Sequence, residues 1–292
     1  MICNECPRKC NIDRAKGVGF CSVTETIRVA RAALHFWEEP CISGENGSGA
    51  VFFSGCNMRC VFCQNKEISE GKIGKDISEE RLAQIFLELQ EKQANNINLV
   101  TPSHYVNPII RAIDIAKNQG LSIPIVYNSS SYESVETLKK LEGYIDVYLP
   151  DCKYYDDEPA IRYSHAKNYH EISLKAISEM LRQTGKAVFD EKGIIKKGVI
   201  VRLLVLPGNT VDAKNVLRSL YENFNDSIYV SVMNQYTPIK GVPFPELKRR
   251  VTKREYSKVL DYALELGIVN GFMQEGDVAK ESFIPDFDLE GV

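Results

Sequence analysis

The chain has 292 residues, of which 44% are hydrophobic and 26% charged, and it carries a formal net charge of −3. These values are ordinary for a globular protein, and the length is sufficient for one large α/β domain with an appendage. Because the net charge is small and negative, no whole-chain field would attract a nucleic acid or an anionic membrane. We therefore expect neither as a partner.

The sequence shows no pattern for membrane insertion or export. No uninterrupted apolar run approaches the ~20 residues that span a bilayer. The opening Met1-Ile2-Cys3 lacks the basic and then apolar pattern of a signal peptide. Nine cysteines could suggest disulfide bonds, but their clustering is typical of metal ligands. We therefore expect a cytoplasmic protein in a reducing compartment.

The N-terminal part of the chain is rich in cysteine. Residues 43–49 are rich in glycine and serine, which is typical of a connector, and we predict a cysteine-rich metal-binding extension over 1–48. It supplies four closely spaced thiolates, which suit zinc and an iron–sulfur cluster about equally. They belong to Cys3, Cys6, Cys10 and Cys21. Cys41 is either a substitute ligand or a free thiol.

Three further cysteines, Cys56, Cys60 and Cys63, follow the apolar stretch 50–53 on one short loop. A structural zinc site normally closes its shell with four ligands. An iron–sulfur cluster takes about one thiolate per iron, so that three thiolates on four irons leave one iron open to another ligand. The alternative is a zinc loop that recruits a fourth cysteine from elsewhere.

From residue 50 onward, short apolar runs alternate with amphipathic segments. The pattern predicts strands at 51–54, 97–100, 123–127, 145–149, 199–206, 228–232 and 268–273. Helices are predicted between them, at 78–93 with Ser78 as N-cap, around Pro108, at 135–141, at 174–185, at 212–223 and at 254–266. This alternation indicates βαβ units and a parallel sheet, which right-handed crossovers curl into a barrel or an open doubly wound sheet.

The spacing Cys-x3-Cys-x2-Cys, with Phe62 before the last cysteine, resembles the signature of the radical S-adenosylmethionine (SAM) superfamily. The resemblance implies an α/β fold, a partial (β/α)6 barrel over 49–292 with a C-terminal extension. It implies that the three cysteines hold a [4Fe–4S] cluster whose open iron chelates SAM, and that Phe62 packs beside the adenine. Auxiliary clusters occur in this family, which favours iron–sulfur over zinc at the four N-terminal cysteines.

In a parallel barrel, ligands gather at the carboxyl ends of the strands. After the second predicted strand, Ser103 or His104 occupies the place where many family members hold the methionyl amino group of SAM with Gly-Gly-Glu. The alternatives are that Ser103 or Pro102 starts the next helix and that His104 is an ordinary loop histidine. Asn128, after the third strand, is a candidate for a ribose contact.

The fourth strand ends in Asp151-Cys152-Lys153, which resembles the Asp-x-Lys of the activating enzymes of glycyl-radical enzymes, such as that of pyruvate formate-lyase. In those enzymes the pair lies near the SAM carboxylate or a bound cation. Side chains two residues apart on a strand point the same way, so we expect Cys152 to face the opposite side as a buried thiol. The alternative for Asp151 and Lys153 is a local surface ion pair.

Arg202 begins an Arg-x4-Pro-Gly stretch that resembles the same activating enzymes. An arginine in an apolar strand is costly unless it is paired. Its partner is therefore expected to be the SAM carboxylate, an acidic group of the substrate, or Asp151 in a structural ion pair. Asn234 and Gln235 follow the sixth strand as further candidates for ribose contacts.

These features together predict a radical SAM enzyme, an oxidoreductase that cleaves SAM to a 5′-deoxyadenosyl radical for hydrogen abstraction under anaerobic conditions. The resemblance implies an electron donor such as flavodoxin or ferredoxin, and it makes a glycyl-radical enzyme the first candidate substrate. One alternative is radical modification of a peptide or a small metabolite. A non-enzymatic alternative is a metal-binding scaffold that uses the cysteines only structurally.

Overall fold

The computed structural model describes residues 2–273 and 285–292. The strands in this part of the chain are β1 (Ile27–His35), β2 (Ser48–Phe53), β3 (Lys75–Ile77), β4 (Ile97–Val100), β5 (Ile125–Ser129), β6 (Val147–Pro150), β7 (Val188–Phe189), β8 (Ile195–Leu204), β9 (Tyr229–Met233) and β10 (Gly271–Met273). The α-helices are α1 (Pro40–Ser43), α2 (Lys66–Ser69), α3 (Glu79–Glu91), α4 (Val106–Asn118), α5 (Val135–Lys139), α6 (Asp157–Ser164), α7 (Tyr169–Thr184), α8 (Thr210–Phe224) and α9 (Lys253–Glu265).

One sheet organises the described residues, with strand order β10-β9-β8-β6-β5-β4-β2-β1-β3 and β7 paired to β8. The run from β2 to β10 is parallel, whereas β1 and β3 join it antiparallel. Strands β10 and β3 form the two edges of the described sheet, which is therefore not closed. The predicted partial barrel is confirmed, including its extension by a last helix and strand.

The helices cover the outer face of the sheet because each presents an apolar stripe to it. In α3 the buried side chains are Leu82, Ala83, Ile85, Phe86 and Leu89, which recur at helical spacing. Ser78 is the N-cap of this helix, as predicted, and its hydroxyl accepts a hydrogen bond of 3.2 Å from the Arg81 N–H. The outer-face strand residues and the helices α3, α4, α7, α8 and α9 share one apolar core.

Strand β1 belongs to the predicted extension over 1–48, yet it pairs with β2 in the central sheet. Helix α1, which follows it, packs Cys41 and Ile42 against inward-facing side chains of β5, β6 and β8. Asn96, just before β4, donates a hydrogen bond of 2.9 Å to the Ile42 carbonyl. The segment after β1 therefore closes the amino-terminal end of the barrel, and Cys41 is a buried thiol in an apolar environment.

Residues 285–292 lie along β1. The Ala32 N–H donates to the Glu290 carbonyl over 2.8 Å, and Arg31 forms ion pairs with Asp288 and Glu290. Among the residues that the structure describes, no helix combines the length and the hydrophobicity that crossing a bilayer requires.

Candidate active site

A cavity of about 280 Å³ opens at the carboxyl ends of the parallel strands. Cys56, Cys60 and Cys63 line one wall of it together with Met58 and Phe62. The loop that carries them leaves β2 through Gly55, whose φ is 89°. A Cβ atom at this position would lie 2.6 Å from the Cys21 carbonyl oxygen, so only glycine fits this turn. The three predicted thiols are thus brought together at the barrel mouth.

Two hydrogen bonds point at sulfur atoms of this loop. The Met58 N–H donates to Cys56 Sγ over 3.4 Å, and the Ser164 hydroxyl at the end of α6 donates to Cys60 Sγ over 2.8 Å. Burial raises the pKa of the Cys60 thiol to about 11 and that of Cys63 to about 12. A metal centre would displace these protons, and hydrogen bonds to sulfur are a usual feature of iron–sulfur sites. The donor set therefore fits a thiolate-bound cluster.

The facing wall contains Asp151, Lys153 and Arg202, all of which line the same cavity. Lys153 Nζ forms an ion pair with Asp151 Oδ2, and Arg202 Nε donates to Asp151 Oδ1 over 2.8 Å. Asp151 and Lys153 point the same way, as the strand geometry predicts. Cys152 between them is fully buried in the outer core, also as predicted.

Glu38 is a cavity residue that the sequence analysis missed. Its carboxylate accepts a hydrogen bond of 2.9 Å from Arg202 Nη1 and hydrogen bonds of 3.1 Å from the Asn128 and Asn98 side-chain amides. Arg202 Nη2 also donates to Asn128 Oδ1 over 2.6 Å. The sequence does show two adjacent acidic residues, Glu38 and Glu39, directly after two aromatic residues. They were not considered as site residues because they lie in the segment that was predicted to be a metal-binding extension.

Asp151 and Lys153 keep each other ionised inside the protein. Burial raises the pKa of Asp151, but the charges of Arg202 and Lys153 outweigh burial and the pKa lies below its usual range. Burial lowers the pKa of Lys153, and the neighbouring Asp151 and Cys60 more than reverse this effect. Glu39 is different, because burial raises its pKa despite the nearby Arg202. The facing wall of the cavity therefore carries fixed ion pairs, whereas the neighbouring carboxyl of Glu39, which is not among the residues that line the cavity, tends to hold a proton.

Ser103 and His104 do not line this cavity. The Ser103 hydroxyl donates to the buried carboxylate of Glu133 over 2.5 Å, and the His104 ring nitrogen lies 2.8 Å from the Ser54 carbonyl oxygen. Burial and the charge of Arg14 lower the pKa of His104 to about 3, so its ring stays neutral near neutral pH. Thr101, with a left-handed φ of 60°, is the residue of this segment that lines the cavity.

Three of the four remaining predicted contact residues line the cavity. Phe62 lines the cavity, and its ring packs against Tyr236 with 5.9 Å between the centroids. Asn128 and Gln235 also line it, whereas Asn234 is not among the lining residues.

The four N-terminal cysteines form a second group close to the first. Burial raises the pKa of the Cys6 thiol to about 12, and burial also raises the pKa of the Cys21 thiol. Within the described residues, no three histidine, cysteine or acidic side chains are arranged to hold a single metal ion as they stand. The identity of a metal at these four cysteines thus stays a prediction.

The family model of the radical SAM superfamily matches residues 50–220, which is more than half of the chain. The chain belongs to the radical SAM superfamily. Membership implies a [4Fe–4S] cluster and SAM as cofactors and identifies the chain as a radical SAM enzyme.

Two curated relatives illustrate the range of similarity. An uncharacterized protein of Methanocaldococcus jannaschii is 31% identical over 272 residues, covering 89% of this chain and 74% of that protein. The pyruvate formate-lyase-activating enzyme of Clostridium pasteurianum is 25% identical over 122 residues, covering 40% of this chain and 50% of that enzyme.

Solved radical SAM structures share the fold. A radical SAM methyltransferase from Sphaerobacter thermophilus superposes with a TM-score of 0.55 at 14% identity, covering 80% of this chain and 67% of that chain. SuiB from Streptococcus suis, solved with its precursor peptide SuiA, gives a TM-score of 0.52 at 14% identity and covers 76% of this chain. The chain spans 47% of the length of SuiB. At these identities the similarity concerns the fold alone.

Proposed function

We propose that this radical SAM enzyme abstracts a hydrogen atom from a glycine residue of a partner protein and so activates a glycyl-radical enzyme. The observation that carries the proposal is the single cavity in which Cys56, Cys60 and Cys63 face Asp151 and Lys153. When bound, the reduced cluster supplies one electron that cleaves SAM into methionine and a 5′-deoxyadenosyl radical. The similarity to the clostridial activating enzyme supports the choice of substrate.

Different residues of the cavity bind the cluster, bind SAM and hold the SAM-binding side chains in position. Cys56, Cys60 and Cys63 hold the cluster at the mouth of the barrel. Lys153 is the cation of the facing wall whose three N–H donors are not all used by Asp151, so we assign the SAM carboxylate to it. Arg202 is committed to Asp151, Glu38 and Asn128, and its role is to hold these three side chains in place. Phe62 and Tyr236, whose rings pack edge to face at an interplanar angle of 63°, offer an aromatic contact to the adenine.

The proposal includes partners and a compartment. An electron donor such as flavodoxin or ferredoxin supplies the reducing equivalent, and we expect no nucleic acid or membrane partner. A reducing cytoplasm suits the nine cysteines, all of which are free thiols in the structure. The four N-terminal cysteines hold a second metal centre.

The proposal is tested by following the abstracted atom. The full chain, prepared without oxygen, is incubated with reductant, SAM and a candidate glycyl-radical enzyme labelled with α-deuterated glycine. We expect deuterium to appear in 5′-deoxyadenosine and an electron paramagnetic resonance signal from a glycine radical on the partner. Formation of 5′-deoxyadenosine without deuterium from any tested partner, together with turnover of a peptide or a small metabolite, would establish the alternative substrate class instead.

A further inference from the structure

Residues 285–292, which we call the strap, pair with one edge of β1. Strand β2 occupies the other edge, and the short strand β3 pairs only with the first three residues of β1. Beyond them, the Leu289 N–H donates to the Ala30 carbonyl over 3.2 Å. The Ala32 N–H donates to the Glu290 carbonyl over 2.8 Å. The strap therefore supplies hydrogen-bond partners to backbone groups of β1 that β3 leaves without a strand.

The side chain of Arg31 holds the strap from its solvent side. Its Nη1 donates to the Asp286 carbonyl over 2.9 Å and to Asp288 Oδ1 over 2.7 Å. Its Nη2 forms an ion pair with Glu290. The three partners alternate along the strap and are all exposed, whereas the Arg31 side chain is only 17% exposed. One guanidinium thus contacts the strap at three places.

The residues between these contacts face the active-site cavity. Pro285 and Phe287 are half-buried, and Pro285 lines the cavity itself. The Phe287 ring packs edge to face on Phe52, with 5.5 Å between the centroids and an interplanar angle of 70°. Phe52 lines the cavity together with His35, whose ring lies 6.0 Å from it. The strap therefore forms part of the cavity wall directly and supports another part from behind.

The open sheet gives this wall a purpose. Strands β3 and β10 are the two edges of the described sheet, so strands alone do not enclose the cavity. The strap lies on β1, beside the edge strand β3. A closed active site keeps water and other small molecules away from a reactive intermediate. A segment that adds apolar side chains to the wall on this side serves that requirement.

We propose that the strap is a side wall of the active-site cavity, and that Arg31 is a positioning residue that holds Pro285 and Phe287 in this wall. Arg31 acts through the strap and is not among the residues that line the cavity. The wall keeps molecules of the solvent from the reacting atoms. The proposal rests on cleavage of SAM in this cavity, but it does not depend on which substrate the enzyme uses.

The first test measures whether Arg31 holds the strap. In the full chain, hydrogen exchange of the Ala32 and Leu289 amides reports on the two backbone hydrogen bonds. Arg31→Gln removes two ion pairs, so we expect both amides to exchange at least about tenfold faster than in the wild type. Arg28→Gln is the matched control, because Arg28 lies on the same strand and pairs with Asp76 of β3. Unchanged exchange in Arg31→Gln, or an equal increase in the control, would overturn the role of Arg31.

A second variant displaces the strap without removing a charge. Gly291 has a φ of 74°, and a Cβ atom at this position would clash with the Ala32 carbonyl oxygen. We therefore expect Gly291→Ala to accelerate exchange of the Ala32 amide as well, which keeps the test decisive if Arg31→Gln does not fold. Exchange at the wild-type rate in Gly291→Ala would contradict the pairing of the strap with β1.

The second test measures whether the strap closes the cavity. The full chain, reconstituted without oxygen, cleaves SAM with dithionite in a buffer that contains perdeuterated glycerol. A 5′-deoxyadenosyl radical that meets glycerol takes a deuterium atom from a C–D bond and leaves the unpaired electron on the glycerol carbon. We expect Phe287→Ala to raise the deuterated fraction of 5′-deoxyadenosine severalfold. Phe287→Leu, which keeps most of the apolar volume, should stay near the wild-type fraction.

The matched control for the wall is Leu289→Ala, because Leu289 belongs to the same strap and is 40% exposed. A deuterated fraction that Phe287→Ala leaves unchanged, or that Leu289→Ala raises equally, would overturn the proposal. Neither test uses a partner protein. A failed search for a glycine radical would therefore defeat the proposed function and leave both results unaffected.

Discussion

Each of the three side-chain nitrogens of Arg202 is committed to a different residue. Asp151 follows β6, Asn128 lies in β5, and Glu38 comes from the segment after β1. One guanidinium therefore joins two neighbouring strands and the segment after β1 at the wall of the cavity that faces the three cysteines. The planar fork of arginine suits this arrangement, whereas a lysine would offer a single point charge.

The role of Arg202 predicts a large effect on stability. Arg202→Leu leaves the carboxylate of Glu38 buried without a cation and Asp151 with Lys153 alone. Breaking a buried pair in this way costs about 3–5 kcal/mol of unfolding free energy, whereas loss of an exposed pair costs under about 1 kcal/mol. Urea unfolding measures both, with Arg111→Leu as the control because Arg111 is 56% exposed and paired with Glu79. Equal, small losses in the two variants would contradict a structural role for Arg202.

Gly55 shows how one residue places the catalytic loop against its neighbour. Its φ is positive, and a Cβ atom added to it would lie 2.6 Å from the Cys21 carbonyl oxygen, which leaves no room for a side chain. The turn therefore sets the separation between the two groups of cysteines.

This close contact predicts a specific effect of Gly55→Ala. Strain from the positive φ costs about 1–3 kcal/mol, and the clash with Cys21 must in addition move the loop. Gly143→Ala is the matched control, because Gly143 has a similar φ of 83° and nothing within 4 Å of its Cβ position. We expect Gly55→Ala to lower both the unfolding free energy and the iron content of the reconstituted protein more than the control does. Identical behaviour of the two variants would contradict the packing of this loop.

At the scale of the elements, helix α6 connects helix α8 with the loop that carries Cys56, Cys60 and Cys63. Its C-terminal residue Ser164 donates to Cys60, and its N-terminal end is held by Asp212 of α8, which accepts from the Tyr155 and Asp156 N–H groups. Burial raises the pKa of Asp212 to about 6, and the two backbone hydrogen bonds only partly oppose this effect. The element that positions Ser164 is thus anchored through a carboxyl whose pKa is raised to about 6, within reach of mildly acidic pH.

The raised pKa of Asp212 predicts a pH-dependent stability. Because the folded state binds the proton more tightly than the unfolded state, its contribution to the unfolding free energy falls as pH rises from the unfolded pKa of 3.8 to about 6. Asp212→Asn removes this titration. The stability of the variant relative to wild type should therefore improve by about 2 kcal/mol between pH 4.5 and pH 7. A relative stability that is constant with pH, or that moves the other way, would contradict the assigned pKa.

At the scale of the whole molecule, the sequence was sufficient to predict the parallel strands and the main helices that pack on them. The helices α3, α4, α7, α8 and α9 carry apolar periodicity because each buries one face, and that pattern can be read from the sequence. The parallel strands appear as short continuous apolar runs because both of their faces are buried, as in β2, β5 and β6. Strand β1 was missed because it lies in a segment whose cysteines and glycines dominated its interpretation. Strands β3 and β7 are only 3 and 2 residues long, too short to show a period.

The candidate site was predictable to a similar extent. Three cysteines at fixed spacing and the pair Asp151 and Lys153 are local patterns, and local patterns can be read from one sequence. Glu38 reaches Arg202 across 164 positions of sequence, and Ser164 reaches Cys60 across 104. Only the tertiary fold creates such contacts. Thr101 likewise has a left-handed φ of 60°, which its residue type does not indicate, and Ser103 and His104 after it do not line the cavity.

The central claim is that the cavity of Cys56, Cys60 and Cys63 performs reductive cleavage of SAM. The most direct measurement is the amount of 5′-deoxyadenosine formed by the anaerobically reconstituted full chain with dithionite and SAM. We predict formation by wild type and by the controls Cys41→Ala and Cys152→Ala, whose thiols are buried away from the cavity. We predict none when Cys56, Cys60 and Cys63 are all changed to alanine. Formation of 5′-deoxyadenosine by that triple variant, or its absence in wild type carrying a full iron complement, would contradict the account.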